Sequence, residues 1–156
     1  MPVNTAAGAV FSIGTKTPAT DATTYAADTY VAVGEVESIG EFGDEVSAAT
    51  FTALANRRVR KFKGTYDAGD IQLTVGFDSG DTGQTALNTA LKDEGSTDYN
   101  FKIEFEDGDV FYFSGKVMSR RISAGAADEI VKANISIAIG TEVLEIPAAP
   151  AAPAAP

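Results

Sequence analysis

The sequence has no cysteine and no histidine. Without cysteine there are no disulfides and no thiolate metal sites, and the redox compartment stays open. Without histidine the commonest general base and metal ligand is missing, which excludes His-dependent triads and the usual zinc sites. No run of apolar residues approaches the roughly 20 needed to span a bilayer. The opening MPVNTAAGAVFSIG lacks a basic segment and a sustained apolar stretch, so no signal peptide is expected. Basic residues are also scarce. Twelve Lys and Arg face 22 Asp and Glu, for a formal charge of −10. That balance favours solubility and repels a phosphate backbone, which disfavours a general nucleic-acid binder. Phosphate-cradling loops of the GxGxxG or Walker type are missing. No carboxylate pair stands out as general acid and base, and the serines and lysines lack a catalytic context, so no enzyme, cofactor or metal is expected.

What is present suits a mainly β protein with a modest core. The chain has 156 residues, nine Phe and five Tyr, enough for one folded domain, expected over residues 1–146. Residues 70–77 (DIQLTVGF) alternate, with Ile71, Leu73, Val75 and Phe77 on one face. Residues 99–106 place Tyr99, Phe101, Ile103 and Phe105 inward and Lys102, Glu104 and Glu106 outward. The turn at 106–109 carries Asp107-Gly108, usual hairpin chemistry, and 110–118 returns with Phe111, Phe113 and Val117 on one side. Residues 129–140 align Val131, Ala133, Ile135, Ile137 and Ile139, against a polar Lys132, Asn134 and Ser136. Residues 29–40 read as a strand interrupted at Gly34 by a bulge, and 14–28 as a loop. One helix stands out at about 81–94. Asp81 is an N-cap, Gln84 sits where a capping-box partner belongs, and Ala86, Leu87, Ala90 and Leu91 form its apolar face before Gly95. Too short to be stable alone, it must lean on a sheet. The expected architecture is an antiparallel β-sandwich or flattened barrel with this helix at its flank.

Two regions stand apart. Residues 41–66 are long and show no steady period, which points to a functional or flexible insertion. From Pro147 to Pro156 proline recurs every third residue, the mark of an extended polyproline-like tail. The acidic texts DSGD (78–81) and EDGD (106–109) lack the length and downstream Glu of a calcium loop and read as a helix start and a hairpin turn. More telling is NRRVRKFKG. Arg57, Arg58, Arg60, Lys61 and Lys63 place five of the twelve basic residues in seven positions, preceded by Glu35, Glu37, Glu41, Asp44 and Glu45. Such a block can simply be a charged strand edge that blocks unwanted pairing. It also suits a subunit that attracts a copy of itself head to tail, generating rings or filaments. Phosphate contact by the basic run is a third reading, opposed by the net charge.

The order of these segments resembles the tail tube (major tail) proteins of long-tailed, lambda-like bacteriophages. The resemblance starts at VAVGEVESIGEF, tightens at AGDIQLTVGF and passes through GQTALNTALKDEG, where Gly83, Gln84, Ala86 and Leu87 match the family's helix start. It then runs into YNFKIEFEDGDVFYFSGKVMS, covering roughly residues 30–140. The basic far end of the insertion and the Pro-Ala tail depart from the family pattern. The resemblance implies hexameric rings, with inner sheets joined around a lumen, stacked into a conduit for DNA. It implies tape-measure and tail terminator or initiator proteins as partners, DNA passing without being bound, and no membrane. It also implies a place in the virion tail, after assembly in the bacterial cytoplasm. Under it, Arg57, Arg58, Arg60, Lys61 and Lys63 would meet acids of a neighbouring copy among Glu35, Glu37, Glu41, Asp44 and Glu45. The insertion would order on stacking, and Ala86, Leu87, Ala90 and Leu91 would pack the helix on the sheets. The alternatives are a related secretion-system tube protein and a monomeric virion-surface binding domain using an exposed aromatic such as Tyr112.

Overall fold

The computed structural model describes Val3 and residues 5–147. Its strands are β1 (Val10–Ile13), β2 (Val31–Ala32), β3 (Val36–Ile39), β4 (Glu45–Thr52), β5 (Val59–Asp67), β6 (Asp70–Gly76), β7 (Tyr99–Glu104), β8 (Val110–Ser123), β9 (Lys132–Ile139) and β10 (Leu144–Ile146). Its helices are α1 (Ala22–Ala27) and α2 (Thr82–Lys92). Eight strands form one antiparallel sheet in the order β2-β1-β7-β8-β9-β6-β3, with β10 beside β8. β4 and β5 pair only with each other.

The alternating strands fold as their patterns demand. Ile71, Leu73 and Val75 of β6, Phe101 and Ile103 of β7, and Ala133, Ile135 and Ile137 of β9 are fully buried on one face. Phe11 and Ile13 of β1 and Phe113 and Val117 of β8 complete the layer, and α2 closes it with Leu87 and Ala90. Ala86 and Leu91 pack half-buried at its border. The Asp107-Gly108 turn forms as its chemistry requires: Gly108 has φ +101° and donates to the Phe105 carbonyl at 3.0 Å.

Several expectations are corrected. The segment at 14–28 is not all loop; its six-residue α1 has a capping box between Asp21 and Thr24 and is too short to show a helical period. There are therefore two helices. α1 covers the opposite face of the sheet, where Tyr25 stacks on Tyr112 at 5.5 Å. Its hydroxyl meets Ser114 Oγ at 2.9 Å, and Ser114 donates to Asn100 Oδ1 at 2.8 Å. Tyr112 is thus buried and offers no exposed binding platform. The interruption at Gly34 is more than a bulge: β2 pairs with β1, whereas β3 pairs with β6, at the far end of the sheet order. β8 runs on to Ser123, with its register shift between Val117 and Ser119. Phe77 lies past the end of β6 and is exposed, as is Val131 before β9. Finally, most of residues 41–66 form the β4–β5 hairpin rather than a loop. Nearly all of its residues are exposed, so no buried face imposes a period on its text. The proline repeat lies beyond Pro147, outside the described residues.

Candidate assembly surfaces

The sheet has two open edges, and their placement starts at a buried polar node. Asp81 caps α2 by accepting from Gln84 N at 2.9 Å and also accepts from Gly34 N at 3.0 Å. Gln84, expected as a capping-box partner, points inward instead and is 1 % exposed. Its amide donates to the Gly76 carbonyl at 2.8 Å and the Gly34 carbonyl at 3.2 Å, and its carbonyl accepts from Asp78 N at 3.1 Å. A Cβ on Gly83 would sit 2.3 Å from the Ala32 carbonyl oxygen, so glycine lets α2 approach this close. The node ties the start of α2 to the turn before β3 and to the end of β6, which fixes where β3 leaves.

β3 ends the sheet order on one side. On the other, β7 ends with Tyr99 opposite Gly115, while β8 continues beside β9 as far as Ser123 opposite Lys132. Residues 119–123 of β8 therefore have a sheet partner on one side only. The result is a four-stranded unit, β3-β6-β9-β8, bounded by two strand edges. Edges with unpaired backbone groups are templates for pairing with another chain.

The outer face of this unit is polar and short-chained. Thr74 lies opposite Ser38 on one side and Asn134 on the other, and Arg121 lies opposite Asn134. Ser136 lies between Gln72 and Ser119. Gln72 Nε2 donates to Ser136 Oγ at 3.0 Å and Thr74 Oγ1 to Asn134 Oδ1 at 3.2 Å. Lys132 is paired with Glu37 at 2.8 Å, whereas Arg121, and Asp70 at the far end of the Gln72 and Thr74 row, enter no ion pair among the described residues. The other polar set, Lys102 and Glu104, sits beside the α1 layer, with Lys102 Nζ 5.3 Å from the Tyr30 ring centroid.

The hairpin leaves the body beside Gly69 and carries the whole basic run. Arg57 and Arg58 lie in its turn, Arg57 with φ +48°, while Arg60, Lys61 and Lys63 lie on β5. Lys61 and Lys63 face Thr50 and Ala48, and Arg60 shares the other face with Phe51, Phe62 and Ala49. None of the five basic residues enters an ion pair among the described residues. Both phenylalanines are 56 % exposed, and Leu54 in the turn is 100 % exposed.

The acidic set is divided between two ends. Glu41, Asp44 and Glu45 lie at the hairpin's own base, whereas Glu35 and Glu37 lie by Gly76, at the other end of β6. A recess of about 500 Å³ at the base is lined by Asp44, Tyr66, Asp67, Ile139, Thr141 and Glu142, among others. Among the described residues, no group of three or more acids is arranged to hold a metal. The polar row Lys132, Asn134 and Ser136 is legible in the sequence, but its union with Gln72 and Thr74 in one face, and the open edges beside it, follow from strand order and not from any local pattern.

The lambda phage tail tube protein (TTP) family matches residues 10–144. No individual curated protein matches the chain by sequence. Among solved structures, a chain of the PVC sheath/tube terminator of an extracellular contractile injection system aligns with TM-score 0.68 at 13% identity, covering 94% of this chain and 98% of that one. The tail of an empty GTA particle aligns with TM-score 0.66 at 11% identity, covering 93% and 100%. The SPP1 tail tube aligns with TM-score 0.60 at 16% identity, covering 88% and 75%. At these identities the likeness is one of fold. The chain belongs to the lambda phage tail tube protein family, and it is a structural tail protein rather than an enzyme.

Proposed function

We propose that this chain assembles into hexameric rings that stack as a hollow tail tube through which DNA is delivered. The observation that carries the reading is the four-stranded unit with one open edge at β3 and the other at residues 119–123 of β8. Joining β8 of one copy to β3 of the next is a heterologous contact, which closes into a ring when the rotation allows. α2 packs on the opposite face of the unit, so closure with α2 outside turns the Ser, Thr, Asn and Gln rows toward the channel. Short neutral groups suit a conduit, since a lumen rich in cations would hold phosphates and stall the strand.

The hairpin supports contact between copies. A two-stranded ribbon standing alone is marginally stable in water. Its exposed phenylalanines and unpaired cations acquire partners only outside their own subunit. The basic residues Arg57, Arg58, Arg60, Lys61 and Lys63 then meet acids of a neighbour, and the hairpin becomes ordered as it docks. Partners beyond self are a tape-measure protein inside the tube and terminator or initiator proteins at its ends, in a virion tail assembled in the host cytoplasm.

Negative-stain electron microscopy over a concentration and salt series tests the reading. Hollow rings or tubes are expected, with fewer of them in Arg58→Glu and Arg60→Glu. Particles that stay solid and monomeric at every concentration, with the hairpin protected from protease, would overturn it.

A further inference from the structure

A groove of about 270 Å³ lies beside β3. Every residue of β3 lines it and none of β6 does, which places it on the open side of the strand. Val36 and Ile39 line it from β3, Ala6 and Ala9 from the segment before β1, and Phe42 and Phe105 complete it. The segment before β1 is held by a turn in which Ala9 N donates to the Ala6 carbonyl at 3.0 Å. Gly8, at φ +84°, lets this turn press on the β7–β8 loop, since a Cβ there would lie 3.0 Å from Glu106 Cβ. Phe111 holds both aromatic rings edge to face, Phe42 at 5.1 Å and Phe105 at 5.6 Å. Among the described residues, Glu37 is the one charged side chain lining the groove, and it is already paired with Lys132. The groove is therefore apolar and aromatic, without free charge, beside a strand that has a sheet partner on one side only.

We infer that this groove seats residues 148–156 of the same chain, and that the seated tail covers β3 until another copy displaces it. Reach allows the contact. Val10, Glu104, Val110 and Ile146 stand in one row across β1, β7, β8 and β10, so about 14 Å separates β10 from β1 at this end. The nine residues after Pro147 span about 28 Å at about 3.1 Å each, enough to cross the row and lie along β3. Chemistry selects this occupant. The tail is built from Ala and Pro alone and carries no charged side chain. Such a segment favours the extended polyproline helix, which docks on aromatic-lined grooves at little ordering cost. Proline also suits the edge. At every third residue the tail lacks an N–H, so it covers β3 without offering a template for a further strand. The tail and β8 of a neighbouring copy then compete for one edge. The contact stands by itself, whereas the control it exerts on ring closure rests on the tube reading.

The absence of cysteine makes the contact testable in the full chain, because any disulfide must come from introduced residues. Ser38 is exposed on β3 and lines the groove. Glu104 is also exposed and stands nearer to Pro147 in the row of strands, but on the α1 side. Under mild oxidation at high dilution, Ser38→Cys with Ala154→Cys is expected to close a disulfide within one chain about tenfold faster than Glu104→Cys with Ala154→Cys. The oxidised Ser38 variant should form no rings, and reduction should release it. A chain shortened to end at Pro147 is expected to assemble at an about tenfold lower concentration, the effect of a tail that covers the edge about nine-tenths of the time. Equal rates for the two cysteine pairs, or disulfides formed between chains, would overturn the seat. An unchanged threshold in the shortened chain would overturn the control of ring closure. If the Ser38 pair closes but the shortened chain gives no rings or tubes at any concentration, the seat stands and the tube reading falls.

Discussion

Replacing Gln84 by methionine isolates the polar node that holds the start of β3. Methionine keeps the length of the side chain and fills the site with little change of volume. It removes three hydrogen bonds, to the Gly76 carbonyl at 2.8 Å, the Gly34 carbonyl at 3.2 Å and Asp78 N at 3.1 Å. A net contribution of about 1 kcal/mol for each gives a loss of about 3 kcal/mol. No further penalty is added for the stranded backbone groups, because they are only partly buried and water can reach them. For a chain of this size that corresponds to a fall in Tm of roughly 6–12 °C. Urea unfolding should show a lower midpoint at unchanged slope. Gln72→Met, which loses one exposed bond to Ser136, should change stability by less than about 0.5 kcal/mol. Equal stabilities for the two variants would refute the claim that Gln84 holds the node.

Three further predictions concern the same scaffold. Gly83→Ala should destabilise, although glycine to alanine inside a helix ordinarily gains about 1 kcal/mol; the added Cβ would lie 2.3 Å from the Ala32 carbonyl, and a thermal melt reads the sign. Asp93 is held down to about 2 by its bond to the Lys16 ammonium and by Gly95 N–H and Tyr99 O–H. Because its folded pKa is depressed, its contribution is complete above the ordinary carboxylate value near ~4 and is lost as pH falls toward about 2. Asp93→Asn should therefore flatten the acid limb of a stability–pH curve and leave the neutral-to-alkaline shape unchanged. Replacing residues 46–66 by a short glycine-serine link should leave the Tm within a few degrees but abolish tubes, as seen by calorimetry and microscopy of the same sample.

How far these features are legible in the sequence depends on burial. β6, β7 and β9 are readable because one face is covered and the other is wet, so Ile71, Leu73 and Val75 alternate with Gln72 and Thr74. α2 is readable for the same reason, through Leu87 and Ala90. β8 is harder, since Tyr112, Phe113, Ser114 and Gly115 are all buried, between α1 on one side and the core on the other. The hairpin is the reverse case. With neither face covered in the single chain, Phe51 and Phe62 stand out only once their exposure is known. The basic run is plain in the text, but the placement of the acids is not: the fold puts Glu41, Asp44 and Glu45 at the hairpin's own base and Glu35 and Glu37 at the other end of β6. Gln84 stands out in the sequence for its position three residues after the cap. Its inward turn follows from the Gly34 and Gly76 carbonyls it meets, which no local pattern reveals.

The most direct measurement is a cryo-electron reconstruction of the assembled protein at a resolution that separates strands. The account predicts a closed ring in which β3 of one copy runs beside residues 119–123 of the next. In it, Gln72, Thr74, Asn134 and Ser136 line the channel and α2 lies outside. A ring whose channel is lined by α2, or one that leaves both strand edges open to solvent, would contradict it.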